Sequence, residues 1–122
     1  MSHIVQIKTE VCDEVAVAAA CRRLGLAQPR QGAVTLFQTE VVGLLVDLPG
    51  WIYPAVVDLK SGAIRYDNYE GRWGDVKEIG RFLQAYAVEK GTIEARKRGH
   101  LVREQPLADG SIKLVISVGG AA

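Results

Sequence analysis

The chain has 122 residues, 48% of them hydrophobic and 24% charged, with a formal net charge of +1. That is enough chain for one domain with its own core. The charge is too small for a broad electrostatic footprint on nucleic acid or anionic membrane, and no apolar run approaches the roughly 18 residues of a membrane span.

The opening run, Met1-Ser2-His3-Ile4-Val5-Gln6-Ile7-Lys8, lacks the basic-then-apolar order of a signal peptide. The expected compartment is therefore the cytoplasm. From His3 to Val11 the residues alternate. His3, Val5, Ile7, Thr9 and Val11 share one side and Gln6, Lys8 and Glu10 the other, which predicts a half-buried strand. Asp13 then caps a helix that runs to Leu24 with a stripe of Val17, Ala20, Cys21 and Leu24, and Gly25 stops it. Cys12 and Cys21, the two cysteines, have the wrong spacing for a metal knuckle. With Cys21 on the helix they stand over ~10 Å apart, too far for a disulfide.

Two strands are expected next, over Val34–Phe37 and Val41–Asp47, turning near Gln38-Thr39. That turn lacks glycine, so a single bent strand is the alternative. Tyr53–Leu59 and Ala63–Asn68 flank Lys60-Ser61-Gly62, a hairpin loop whose last residue needs positive φ. A loop from Tyr69 to Gly74 leads to Asp75, which with Glu78 has the spacing of a capping box. Val76, Ile79, Phe82, Leu83, Tyr86 and Ile93 then form the apolar face of a long helix ending at Gly99. Within that helix, Gly80 is read as a close-packing position and Gly91 as a soft point. Asp109-Gly110 signals a closing hairpin between Leu101–Gln105 and Ser111–Val118, and the end, residues 117–122, is expected to fray. The order β-α-β-β-β-β-α-β-β predicts one α+β domain, residues 1–122: an antiparallel sheet of about six or seven strands with two helices on one face.

Several of these stretches resemble a known family. Met1-Ser2-His3, Ile7-Lys8-Thr9 and Leu24-Gly25 at the start, and Phe82-Leu83, Tyr86-Ala87 and Asp109-Gly110-Ser111-Ile112-Lys113-Leu114 near the end, are similar to the hypothetical chloroplast reading frame 35 family, a domain of unknown function found in plastids and bacteria. The resemblance covers about two-thirds of the chain. The middle, Gln31 to Trp73, departs from the plastid pattern and looks like a bacterial variation. The resemblance implies a bacterial, cytosolic, single-domain protein and brings no activity, cofactor or catalytic residues. Relatives encoded beside ATPases or small ferredoxins imply a component of a larger assembly.

The densest polar cluster is Asp67, Asn68, Tyr69, Glu70 and Arg72, with Trp73 beside it. Two carboxylates, a phenol and a guanidinium at a helix start are suited to acid–base work or to holding an anion, although Asp75 already occupies the cap. They are better suited to local turns with the Tyr69 and Trp73 rings packed over a sheet edge. His3, on the apolar side of the first strand, is a further binding candidate, and a metal site would require His3, His100 and Asp67 to converge. Arg96, Lys97, Arg98 and Arg103 lack interleaved aromatics and are mixed with acidic residues, so no nucleic-acid partner is expected. No catalytic residue, metal or cofactor is assigned, because no nucleophile elbow, phosphate loop, dinucleotide fingerprint or zincin motif occurs. The expected function is a small non-enzymatic binding or assembly subunit with a protein partner or a second copy, acting through a sheet edge or the 65–75 loop. The alternative is a small enzyme or small-ligand binder built on Asp67–Trp73 with His3.

Overall fold

Alternation at the N-terminus forms β1 (Val5–Lys8), whose Val5 and Ile7 face the core while Gln6 and Lys8 face out. A computed structural model describes residues 3–118. His3 lies before the strand and is exposed, so it is not on a buried face as the alternation suggested. Asp13 caps α1 (Glu14–Arg23), its carboxylate accepting from the Val15 and Ala16 N–H groups, and Gly25 takes the left-handed conformation beyond its end. The strands β2 (Arg30–Leu36), β3 (Thr39–Val46), β4 (Ala55–Asp58) and β5 (Ala63–Tyr66) follow, then α2 (Lys77–Lys97), β6 (Leu101–Pro106) and β7 (Ile112–Ser117).

The seven strands and two helices occur in the expected order. The strands divide into two antiparallel sheets, β1-β5-β4-β3-β2 and β6-β7. Both helices cover one face of the five-stranded sheet. Val17, Ala20 and Cys21 of α1 and Ile79, Phe82 and Tyr86 of α2 meet Leu44, Val46, Val57 and Ile64. The β6–β7 hairpin does not extend this sheet. It packs on α2, where the missing side chain of Gly91 admits Leu114: a Cβ there would stand 2.9 Å from Leu114 Cδ1. Gly80 meets nothing within 4 Å, so the roles expected of the two glycines are exchanged. β7 stays paired through Ser117, opposite Leu101, so fraying does not begin at residue 117; residues 119–122 lie outside the described residues.

The start of α2 also differs in detail. Asp75 Oδ1 accepts from Lys77 N at 2.9 Å. The Glu78 carboxylate pairs with Arg81 at 3.5 Å rather than reaching back, so the box is not closed. Val76, expected in the apolar face, is 55% exposed, because it precedes the first full helical turn.

The other sheet face is covered by the chain's own hairpin. Register pairs Leu44 with Val57 and Val46 with Ala55, so a straight β3 would carry its turn past the far end of β4. Pairing with β4 stops at Leu44, next to Gly43, which faces Gly32 across the β2–β3 ladder. A Cβ on Gly43 would lie 2.7 Å from the Val57 carbonyl oxygen. At this glycine pair the arm turns back over the outer face, and Leu36 and Val41 join Leu45 and Val56 in a second core with Ile4, Val34 and Tyr53. The turn at its tip is Phe37-Gln38, with φ 45° and 64°. It sits one residue earlier than predicted and adopts a conformation usually reserved for Asn-Gly. No helix among the described residues is long and apolar enough to cross a membrane.

Candidate functional site

The segment from Asp67 to Asp75 is a closed knot held by its own polar groups. Asp67 and Asn68 leave β5 already buried. Asp67 Oδ1 accepts from Tyr69 N at 3.1 Å, and Asn68 Nδ2 donates to the Gly74 carbonyl at 3.1 Å. The Asn68 carbonyl takes the N–H groups of Gly71 and Trp73. These bonds close a single 3-10 turn, Tyr69–Gly71, in which Tyr69 and Glu70 both have positive φ (47° and 54°). Among the described residues, four non-glycine residues hold this strained conformation, two in this knot and two in the Phe37-Gln38 turn.

Aromatic rings fix the knot against the rest of the chain. Trp73 lies 4.7 Å from Tyr69 and meets Tyr53 edge-on at 5.6 Å. The Arg72 guanidinium sits 5.0 Å over the Tyr69 ring. Trp51 packs on Gly74, where a Cβ would come within 2.3 Å of its ring. It also meets Tyr66 edge-on and donates from Nε1 to the Asp75 carbonyl at 3.0 Å. Because Ile52 N donates to the Trp73 carbonyl, the Trp51-Ile52-Tyr53 run and the knot form one surface.

Between this surface and the tip of the β2–β3 arm is a cavity of about 350 Å³ lined by Thr35, Phe37, Gln38, Tyr53, Asp67 and Trp73. Of the sequence-predicted residues, Asp67 and Trp73 line it and Tyr69 backs it. Asn68 is spent inside the knot. Glu70 and Arg72 are exposed, outside the lining, and His3 lies before β1, two residues from the Val5–Tyr66 pair that ends the ladder. His100, whose N–H donates to the Ala95 carbonyl, is at the other end of α2, about 30 Å from the knot for a helix of this length. Among the described residues, no three His, Cys, Asp or Glu side chains gather to hold a metal ion. The sequence did not assign Thr35, Phe37, Gln38 or Tyr53 to a site. The available signal was a hairpin turn lacking glycine, since such a turn keeps a bulky residue at a cost in strain.

A second groove lies over the β1–α1 connection, lined by residues including Glu10, Cys12, Asp13, Tyr86 and Lys90. Tyr86 Oη accepts from Cys12 N and Asp13 N, each at 3.2 Å. Lys90 Nζ bridges Asp13 Oδ2 and Glu94 Oε1, each at 2.9 Å. Lys90 holds the Asp13 carboxyl below its ordinary range by hydrogen bonding, opposed in part by burial. Tyr86 and Lys90 thus tie α2 to the cap of α1, so the groove is a joint between elements. Cys12 is exposed at its rim. Cys21 is buried, and desolvation pushes its thiol upward.

No protein-family model, curated protein or solved structure matches the chain.

Proposed function

We propose that the chain is a small non-enzymatic binding subunit of the cytoplasm that engages a protein partner through the aromatic end formed by the knot, the Trp51–Tyr53 run and the β2–β3 tip. The observation that carries this reading is the exposure there of Phe37 (50%), Ile52 (62%) and Val76 (55%) beside the contacting rings of Tyr53, Trp73 and Tyr69 with Arg72. Trp, Tyr and Arg are the side chains that dominate binding energy at protein interfaces, and a cluster of exposed apolar groups around them is a contact surface in search of cover. The family resemblance implies a component of a larger assembly and supports the same reading. An edge of the five-stranded sheet is the weaker alternative. β1 is only four residues long and ends in Lys8, and the edge of β2 belongs to an arm that turns away from the sheet plane. An enzymatic role has less support, since Glu70 and Arg72 do not line the cavity and the Asn68 amide is turned inward to the Gly74 carbonyl.

The test is affinity capture from the native host with the full chain, combined with size-exclusion chromatography and light scattering. A stoichiometric protein partner is expected, lost on Ile52→Glu or Val76→Glu and retained on Val15→Glu, a charge placed at an equally exposed apolar residue of α1. A strict monomer that captures nothing, or a partner indifferent to both substitutions, would defeat the proposal. Salt-dependent binding of RNA or DNA at this surface would replace it with a nucleic-acid role.

A further inference from the structure

We infer that the cavity between the knot and the β2–β3 tip is a recognition pocket for an alkylammonium group, the end of a lysine side chain being the form in which a protein partner presents it. The inference rests on the reading of this end as the contact surface and names the chemistry that the surface selects.

Asp67 carries the argument. It is 2% exposed, yet it lines the cavity. Oδ1 is occupied by the Tyr69 N–H, whereas Oδ2 has no salt-bridge partner among the described residues and is not among the fully buried unpaired atoms, so it is the oxygen left open to the cavity. A carboxylate that is nearly buried, carries no counter-charge and opens one oxygen onto a cavity offers a cation entering from solvent an opposite charge to pair with. The adjacent cation in sequence, Arg72, is committed to the Tyr69 ring and does not line the cavity.

The walls suit the same ligand. Phe37, Tyr53 and Trp73 present aromatic surface, and ring faces attract an ammonium group, most strongly where water is excluded. Thr35 and Gln38 supply polar atoms beside them. The volume, about 350 Å³, admits a small head group with part of its aliphatic stem. The backbone strain on both sides of the cavity fits a held site. Phe37 and Gln38 occupy turn positions that asparagine and glycine fill without strain, and in return the turn places Phe37 at the pocket mouth.

A purely structural Asp67 would serve only to accept from Tyr69 N, and an asparagine does that equally well. This separates the two roles. The experiment is a titration of the full chain with tetramethylammonium, N-acetyl-lysine methylamide and its neutral counterpart N-acetyl-norleucine methylamide, read by NMR at the Trp73 indole N–H and by calorimetry. Saturable binding of both cations is expected, with the norleucine compound weaker by about tenfold or more, the scale of a cation–π contact reinforced by a buried charge. Asp67→Asn is expected to lose about tenfold for the cations while its melting temperature stays close to the parent. Should Asp67→Asn not fold, Phe37→Asn gives a second reading, because it relieves the turn and removes one aromatic wall. It is expected to weaken cation binding several-fold with no loss of stability. Equal binding of the lysine and norleucine compounds, or cation binding unchanged in both variants, would overturn the inference. Partner capture that depends on Ile52 without any cation binding would leave the contact surface standing and remove the pocket. Tetramethylammonium binding with no lysine-compound binding and no captured partner would remove the protein-partner reading and assign the pocket to a free small cation.

Discussion

Tyr86 shows how much one polar atom inside an apolar stripe can organise. Its ring belongs to the core under the sheet, while its oxygen accepts the N–H groups of Cys12 and Asp13 at the entry to α1. Removing the hydroxyl leaves both donors in a part-buried place without their acceptor. Tyr86→Phe is therefore expected to cost about 1–3 kcal/mol in chemical denaturation; a change below a few tenths would mean that water replaces the oxygen at no cost. Gly80 offers the opposite case. It is exposed in α2, and a Cβ would meet nothing within 4 Å, so Gly80→Ala is expected to stabilise by up to about 1 kcal/mol, read in the same assay. The sequence marks Tyr86 as a core residue through helical spacing, because spacing reports which face a side chain takes. It does not report where a hydroxyl ends, since that depends on a loop more than seventy positions away in the chain. The same limit explains the glycines: helical spacing cannot tell that Leu114 arrives over Gly91 and nothing arrives over Gly80.

Elements declared by local chemistry were legible; their docking was not. Asp13 and Gly25 bound α1, Gly62 closes the β4–β5 loop at φ 78°, and Asp109-Gly110 closes β6–β7, each because the residue itself satisfies the turn or cap. The return of the β2–β3 arm and the separation of β6–β7 depend on contacts between distant segments, so alternation alone reads all seven strands as one sheet. For the terminal hairpin one such contact, beside Leu114 over Gly91, is Arg23. Its Nε donates to Glu89 of α2 at 3.0 Å, and its two terminal nitrogens grip both oxygens of Glu104 in β6. Lysine cannot reproduce that fork. Arg23→Lys is expected to cost only ~1 kcal/mol of global stability, because the cluster is partly solvated. It should nevertheless accelerate amide exchange in β6 and β7 relative to β3–β5, since the hairpin has no sheet neighbour to hold it. Uniform acceleration across both sheets would show that the two unfold as one unit.

At the scale of the molecule, the joints between layers are charged while the layers themselves are apolar, and this makes cohesion depend on pH in one direction. Lys90 holds the Asp13 and Glu94 carboxyls below their ordinary range, in each case chiefly through its side-chain hydrogen bond, and Arg23 lowers Glu104 in the same way. A carboxyl that is more acidic folded than unfolded stabilises the fold fully above its unfolded pKa, and that contribution disappears as pH falls through the depressed folded value. The cap of α1, its link to α2 and the attachment of β6 should therefore weaken together below about pH 4, and be indifferent to pH between about 5 and 8 as far as these groups are concerned. Lys90→Met tests this directly, since it removes the hydrogen bond that depresses two of the three groups. Urea unfolding of parent and variant from pH 7 to pH 2.5 should show the variant less stable at pH 7, with the gap closing as acid protonates Asp13 and Glu94 and deprives the parent of the same bonds. A gap of constant size over that range would mean that the charge Lys90 holds over the α1 cap is incidental to the fold, since methionine keeps most of the aliphatic stem and loses only the ammonium group.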